Sequence, residues 1–198
     1  QIYVCADNSM RAVVLTAAEM NAADRYSIVI VEEQHVLNGN LEDITIEGVT
    51  DVLNKRGDHP KAVLLFTVCL HHFVGSNLTY IYDELERRFP DICFIRCYMD
   101  PIMQKHGLTP DQKLRKAMYD PLPECEADEK TVSVFGSDFV LDESSDIKRL
   151  LRRYGYTVRE LPACETWQDL LDMSKGRLFL DIYPAGKYGM ETQARRLH

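Results

Sequence analysis

The stretch 61–89, KAVLLFTVCLHHFVGSNLTYIYDELERRF, places an unbroken apolar run directly before a helix-forming segment. The run that follows Lys61 has no charged residue until well past Cys69, which is typical of a parallel strand buried on both faces. From Leu78 onward the apolar residues recur at helical spacing, and Ser76 or Asn77 provides the N-cap. A buried strand followed by an amphipathic helix predicts one half of a βαβ unit.

The same alternation of strands and helices extends along nearly the whole chain. Further strands are predicted at 1–5, 26–32, 92–99, 131–136, 156–161 and 177–183. Further helices are predicted at 11–23, 39–57, 109–122, 144–155, 166–176 and 189–197. This order predicts an α/β fold with two Rossmann-like units, each a mainly parallel sheet flanked by helices. We expect the units at 1–122 and 130–198, joined by the polar, proline-containing stretch 121–130.

Composition narrows the class of protein. The 198 residues carry a net charge of -8, and no basic run of the kind that binds phosphate backbones is present, so we expect no nucleic-acid partner. No segment approaches 18 uninterrupted apolar residues, and no signal peptide is visible, so we expect no membrane partner. The chain begins with Gln1 and ends within a helical pattern. We therefore expect a longer parent chain, with the second unit incomplete at its C-terminus.

Six cysteines are spaced irregularly along the chain. Cys93 and Cys97 lie in one predicted strand, where four residues span roughly 13 Å. A disulfide needs Cα atoms within about 7 Å, so this pair cannot form one in a regular strand. We interpret the cysteines as mostly reduced core thiols, which predicts a cytoplasmic protein.

The candidate metal- and cofactor-binding residues are predicted at one edge of the first sheet. In open parallel sheets, ligands bind outside the carboxyl ends of the strands. Cys69 follows the strongest strand and Cys5 ends the first one, so both are candidate metal-binding thiols at the same edge. Gly75 and Ser76 precede a helix N-terminus that favours an anion or a thiolate-bound cluster. His71 is a further candidate metal ligand.

Alternatives remain open for these residues. Cys69 is equally well interpreted as a small buried hydrophobic side chain, and His71 and His72 as loop residues that point in different directions. Asp100 follows the Cys97 strand on the same edge and is a candidate base or ligand. The chain contains no phosphate loop, dinucleotide-binding glycine motif or nucleophile elbow.

The segment Thr67, Cys69, Val74, Gly75, Ser76, Asn77 resembles the pattern [ST]-x-C-x4-[IV]-G-D-D, which lies between a strand and a helix in the nitrogenase component 1 family. This family includes the molybdenum–iron protein subunits, the cofactor-assembly scaffold pair and the dark-operative protochlorophyllide and chlorophyllide reductases. The stretch 131–170 is similar to the family's second Rossmann-like unit, and the likeness covers about residues 27–197.

The resemblance implies that Cys69 ligates an iron–sulfur cluster at a subunit interface. In the family, an earlier Gly-Pro-x-Gly-Cys loop supplies further ligands. The corresponding segment here, 4–11, lacks the glycines, keeps Cys5 and has Ser9 near the expected ligand position. The Asp-Asp pair is replaced by Ser76 and Asn77. The chain alone therefore does not supply a full ligand set: either a partner subunit completes a shared cluster, or the cluster site has been lost.

Two functional hypotheses follow. The first is a nitrogenase component 1-like oxidoreductase subunit or scaffold. It would work as a homo- or hetero-oligomer of related subunits and would receive electrons from an ATP-dependent iron-protein reductase. The second is a non-enzymatic metal- or small-ligand-binding module with a cleft between two Rossmann-like units and no cluster. The number of cysteines at the edge distinguishes the two hypotheses. A cluster-bearing oxidoreductase needs thiolates that converge from at least two loops, whereas a binding module needs only a cleft.

Overall fold

A computed structural model describes residues 1–19, 21–99 and 107–197 of the protein. The chain divides into two compact units, Gln1–Pro110 and Asp111–His198. The strands of the first unit are β1 (Ile2–Cys5), β2 (Ser27–Ile30), β3 (Ala62–Val68) and β4 (Cys93–Met99). Its helices are α1 (Arg11–Glu19), α2 (Glu33–Leu37), α3 (Leu41–Arg56), α4 (Cys69–Phe73) and α5 (Leu78–Arg88).

The second unit begins within helix α6. Its strands are β5 (Asp128–Phe135), β6 (Thr157–Glu160) and β7 (Gly176–Asp181). Its helices are α6 (Pro110–Tyr119), α7 (Asp146–Arg153), α8 (Trp167–Leu171) and α9 (Lys187–Leu197).

The first sheet has the strand order β2-β1-β3-β4, and all of its strand pairs are parallel. Val4 lies opposite Val29 on one side and Thr67 on the other. The chain moves outward from β1 to β2, and then crosses β1 to reach β3 and continue to β4. The strand order therefore reverses between β1 and β3, which makes their carboxyl ends the topological switch point where ligands bind in open α/β sheets.

The main core lies between this sheet and the helices α3 and α5. Val4 and Leu65 from the sheet, Val49 from α3 and Leu85 from α5 are all fully buried in one hydrophobic cluster. Tyr82 adds a polar anchor, because its hydroxyl donates a hydrogen bond of 3.0 Å to the carbonyl oxygen of Leu65. This packing fixes the position of β3 and therefore of the residues that follow it.

The second sheet has the order β6-β5-β7, again with parallel pairs. Tyr119 of α6, Phe135 of β5 and Met173 form its buried core. Ser133 is buried on β5, and its hydroxyl donates to the carbonyl oxygen of Met173 at 2.7 Å. A polar strand residue is tolerated in this core because it has a hydrogen-bond partner.

The α/β class with two parallel-sheet units is confirmed. Two short helices, α2 and α4, were not predicted, and the predicted helix over 166–176 ends at Leu171 and continues as a 3-10 segment, Asp172–Lys175. By its contacts, α6 groups with the second unit, whereas the sequence assigned 109–122 to the first. The unit boundaries 1–122 and 130–198 stay a prediction.

All six cysteines are free thiols, and Cys97 is fully buried in β4. None of the helices in the described ranges has both the length and the apolar character needed to cross a bilayer.

Candidate functional site

Two cysteines lie at the carboxyl ends of adjacent strands, at the switch point of the first sheet. Cys5 is the last residue of β1, and Cys69 is the first residue after β3. Val4, the residue before Cys5, lies opposite Thr67, two residues before Cys69. The fold thus places both cysteines, which are far apart in the sequence, at the ends of adjacent strands on the predicted edge.

The two thiols differ in their accessibility. Cys5 is 2% exposed, and burial raises the pKa of its thiol, with a further rise from the nearby Asp7. Cys69 is half-buried. Since a metal ligand must be the thiolate, binding at Cys5 requires a metal ion to displace the proton. Cys69 is the more accessible of the two for an incoming ligand.

Cys69 opens a short helix, where the sequence predicted a loop. Helix α4 begins after Val68, which has extended backbone dihedrals, and ends at Phe73. Gly75 then adopts a left-handed φ of 69°, and the amide of Ser76 donates to the carbonyl oxygen of His71 at 2.8 Å. A glycine is favoured at such a position because left-handed dihedrals are costly for other residues. The chain turns here before α5 begins.

The N-terminus of α5 is occupied by the protein's own groups. The amide of Asn77 donates to a carboxylate oxygen of Glu42 at 2.8 Å, and the amide of Tyr80 donates to the side-chain oxygen of Asn77 at 3.0 Å. Asn77 is therefore the N-cap, one of the two residues predicted. The structure does not test cofactor binding by Gly75 and Ser76, which stays a prediction, but the amides of Asn77 and Tyr80 are already used.

His71 lies fully buried beneath this edge. Its Nδ1 is 3.3 Å from the carbonyl oxygen of Val68, and its Nε2 is 3.3 Å from the hydroxyl oxygen of Thr45 on α3. Burial lowers the pKa of the ring to about 4, against the opposing effect of the Val68 contact. Both nitrogens thus face protein oxygens. Metal binding by His71 stays a prediction, and it would require the ring to leave these contacts.

The neighbouring His72 points elsewhere. Its ring meets Tyr98 of β4 edge-on, with centroids 6.1 Å apart, and Tyr98 in turn meets Tyr82 at 6.2 Å. The two adjacent histidines therefore lie in different surroundings. Asp100, the other candidate at this edge, lies outside the described residues.

Sequence reasoning missed one feature of this edge. Thr67 is fully buried at the end of β3, and its hydroxyl has no hydrogen-bond partner in the described ranges. The same is true of the buried hydroxyl oxygen of Ser76. A hydroxyl without a partner is destabilising in an apolar environment. The only sequence signal was a polar residue inside an otherwise apolar run.

The described residues do not form a complete metal site. Within 1–19, 21–99 and 107–197, no three His, Cys, Asp or Glu side chains are grouped so that they could hold one ion. Metal binding by Cys5 and Cys69 stays a prediction, and the remaining ligands of a cluster would have to come from elsewhere.

Several exposed apolar side chains lie at or after the carboxyl ends of the strands of the first sheet. These large hydrophobic residues are Ile30, Leu37, Phe73, Val74 and Met99. Leu37 and Phe73 are 71% and 59% exposed. Exposed apolar side chains at a ligand-binding edge are candidates for contact with another molecule.

The fold and this edge define an α/β protein of two Rossmann-like units with a pair of cysteines at the switch point of the first. The chain matches two solved structures of nitrogenase Cp1, at pH 6.5 and at pH 5. For the first, 91% of this chain is covered with a TM-score of 0.64 and 12% identity. For the second, 97% is covered with a TM-score of 0.67 and 12% identity.

The likeness to nitrogenase Cp1 establishes the fold, and the resemblance drawn from the sequence is confirmed at that level. This chain spans 37% and 41% of the length of the two nitrogenase chains. No protein-family model matches the sequence, and no curated protein matches it.

Proposed function

We propose that this chain is a nitrogenase component 1-like subunit or scaffold that holds one side of an iron–sulfur or related metallocluster shared with a partner chain. Cys69 and Cys5 provide its two thiolates. The observation that carries the proposal is their position at the adjacent carboxyl ends of β3 and β1, where the strand order reverses. The nitrogenase-like fold supports it.

The proposed cluster needs ligands from a partner chain, because the residues that the structure describes include too few cysteines at the edge. Iron–sulfur clusters are held mostly by four cysteine thiolates, and the described part of the chain brings only two cysteines to this edge. A second chain that contributes its own ligands would complete the set. The exposed apolar residues Phe73 and Val74, at the end of the short helix that Cys69 opens, would then be covered by that chain, which supports an interface at this edge.

The two cysteines have different roles in this proposal. Cys69 is the accessible ligand that the incoming cluster binds first, and Cys5 is the buried ligand at the end of β1. A bound cluster supplies one-electron transfer, with its potential set by charge, hydrogen bonds and solvent exposure. We propose an ATP-dependent iron-protein reductase as the electron donor, by resemblance to the family.

The proposal is tested by reconstituting the protein with ferrous iron and sulfide under anaerobic conditions. Iron, acid-labile sulfide and the thiolate-to-iron absorption are then measured after removal of unbound metal. We expect the wild-type protein to retain a cluster shared between two chains. Cys69→Ala should lose most of the iron and the absorption band, and Cys5→Ala should lose them in part or fully.

Cys93→Ala is the matched control. Cys93 is also half-buried, but it starts β4 opposite Ala62, at the other end of the same sheet. This variant should retain iron at the wild-type level. A protein without bound iron, whether reconstituted or isolated from cells together with its natural partners, would contradict the proposal, and so would equal retention by Cys69→Ala and Cys93→Ala.

A second candidate function is a non-enzymatic module that binds a small polar ligand or a metal without a cluster. It is favoured by the buried hydroxyls of Thr67 and Ser76, which have no hydrogen-bond partner in the described ranges. A small ligand at the edge would satisfy them. Retention of a colourless polar ligand by the metal-free protein, detected by mass spectrometry after denaturation, would support this function over the first.

A further inference from the structure

Helix α7 of the second unit exposes much of its apolar surface and buries a lysine. Ile147, Leu150 and Tyr154 are spaced so that they lie along one face of the helix, and Leu151, beside them, is half-buried. That face is exposed: Leu150 is 54% exposed and Tyr154, the C-cap, is 66% exposed. The one residue of α7 that is fully buried is Lys148, at 3% exposure.

A specific partner explains why a lysine is buried in place of a leucine. The ammonium of Lys148 pairs with the buried carboxylate of Glu160 on β6 and with Glu143 at 2.8 Å, and it donates to the carbonyl oxygen of Leu141 at 2.8 Å. These contacts hold the side of α7 that carries Lys148 against β6, and Leu151, three residues further on, is half-buried on that side. The apolar stripe, defined as Ile147, Leu150 and Tyr154, is thereby turned to solvent.

A negative and a positive side chain lie beside the apolar stripe, one at each end. Asp146 and Arg153 are seven residues apart, so they lie in one row beside the stripe, at its two ends. Both are exposed, with the Asp146 side chain at 94%. Asp146 has only an exposed pair with Arg149, a weak contact. Arg153 makes no ion pair in the described part of the chain.

The charges beside the apolar stripe of one copy are complementary to those of a second copy. When two copies of the stripe pack antiparallel about a two-fold axis, the aspartate end of one row faces the arginine end of the other, twice. Ile147 and Leu150 take the apolar positions of a short helix pair, and Asp146 and Arg153 take the flanking positions whose ion pairs set helix orientation. The segment 142–153 contains three acidic and four basic residues, so two copies do not repel strongly here.

We propose that α7 is a self-association surface, on which a second copy of this chain docks through an antiparallel, two-fold α7–α7 contact. The contact is isologous, as in most homodimers. Phe139 and Val140, in the loop that precedes α7, are also exposed, at 80% and 52%. A single short helix on each side buries less than a stable dimer needs, so the association is weak and depends on concentration. The proposal is independent of the cysteine edge.

The test is sedimentation equilibrium of the metal-free protein over a wide concentration range. We expect a reversible monomer–dimer equilibrium, and Leu150→Glu should raise the dimer dissociation constant at least about tenfold by burying a charge. Leu15→Glu is the matched control, because Leu15 is 57% exposed on α1 in the other unit. It should leave the dissociation constant unchanged.

Charge reversal distinguishes this geometry from other dimers. Asp146→Arg and Arg153→Asp should each weaken the dimer, because each places like charges opposite one another, and the double variant should restore it. A monomer at every concentration would overturn the proposal. A dimer whose dissociation constant is unchanged by Leu150→Glu would also overturn it. So would charge reversals whose effects add up in the double variant. Either result would mean that the dimer uses another surface, or that a different partner covers α7.

Discussion

The Nε2 atom of His71 lies 3.3 Å from the hydroxyl oxygen of Thr45, but that hydroxyl already donates its proton to the carbonyl of Leu41 at 2.8 Å. A neutral imidazole has one N–H, so it can donate to Val68 or to Thr45, but not to both. The charged ring could donate to both. Burial nevertheless dominates and lowers the pKa to about 4, which means that desolvation outweighs the second hydrogen bond.

His71 should therefore make the stability of the protein depend on pH. The unfolded ring takes up a proton near its usual pKa of 6.5, whereas the folded ring does so only near about 4. Stability is thus complete above pH 6.5 and is lost progressively as the pH falls towards 4. The expected loss between pH 7.5 and 5 is about 2 kcal/mol. Urea unfolding at the two pH values measures it.

His71→Gln removes this titration and should flatten the pH dependence by that amount. The same substitution at the exposed His59 should leave the wild-type dependence in place. An unchanged pH dependence in His71→Gln would show that the ring is not buried in the neutral form.

The unpartnered hydroxyl of Thr67 predicts a stabilising substitution. Thr67→Val keeps the shape of the side chain and removes a buried hydroxyl that has no partner in the described ranges. We expect the ligand-free protein to gain about 1 kcal/mol in the free energy of unfolding. Thr131→Val is the control, because the equally buried Thr131 donates to Asp128 at 2.9 Å and should lose stability. Destabilisation by both variants would indicate that Thr67 has a partner in solution.

The buried pair of Lys148 and Glu160 predicts a strongly destabilising substitution. The side chains are 4% and 6% exposed, so Lys148→Met leaves a buried carboxylate without its cation. We expect a loss of about 3–5 kcal/mol, measured by denaturant unfolding. Lys148→Met combined with Glu160→Leu should recover most of it. By contrast, Glu143→Gln alters an exposed carboxylate and should cost at most about 1 kcal/mol. Equal losses in the single variants would refute a buried pair.

Gly136 is required by close packing at the end of β5. It has a φ of 93°, and a Cβ built there would lie 2.2 Å from a carboxylate oxygen of Asp181. Gly136→Ala should therefore cost about 3 kcal/mol from backbone strain and overlap together. Gly155 also has a left-handed φ, of 75°, but open space around its Cβ position. Gly155→Ala should cost only the strain of about 1 kcal/mol, and thermal unfolding compares the two.

The cysteines should differ in their reaction with iodoacetamide at pH 8. Cys97 is fully buried, and burial raises the pKa of its thiol to about 12. Since the thiolate is the reactive form, Cys97 should be labelled last and the half-buried Cys69 well before it. Peptide mass spectrometry over time measures the order. In urea the difference should vanish, and early labelling of Cys97 in the native protein would contradict its place in β4.

The positions of the strands and of the site edge could be predicted because buried parallel strands have an unambiguous pattern. The apolar run before Cys69 is β3, and Asn77 caps α5 as expected. Helix α4 could not be predicted, since five residues that begin with cysteine contain no cap and too few positions for a period. The orientation of α7 could not be predicted either. Its pattern favours burial of Leu150, but the buried Glu160 requires a cation, and Lys148 supplies it. That requirement comes from a residue on another element.

Strand β1 lies between two strands that follow it in the chain, β2 and β3. Strand β2 is available to pair with β1 early in the chain, but β3, which pairs with the other side of β1, begins only at Ala62. Cys5 and Cys69 become neighbours only when β3 docks against β1, after the closure of a long loop whose entropy opposes folding. The nascent chain therefore has two isolated thiols and no paired site. We expect a metal or cluster to be inserted only after the first unit has folded, so that maturation follows folding in time and never guides it.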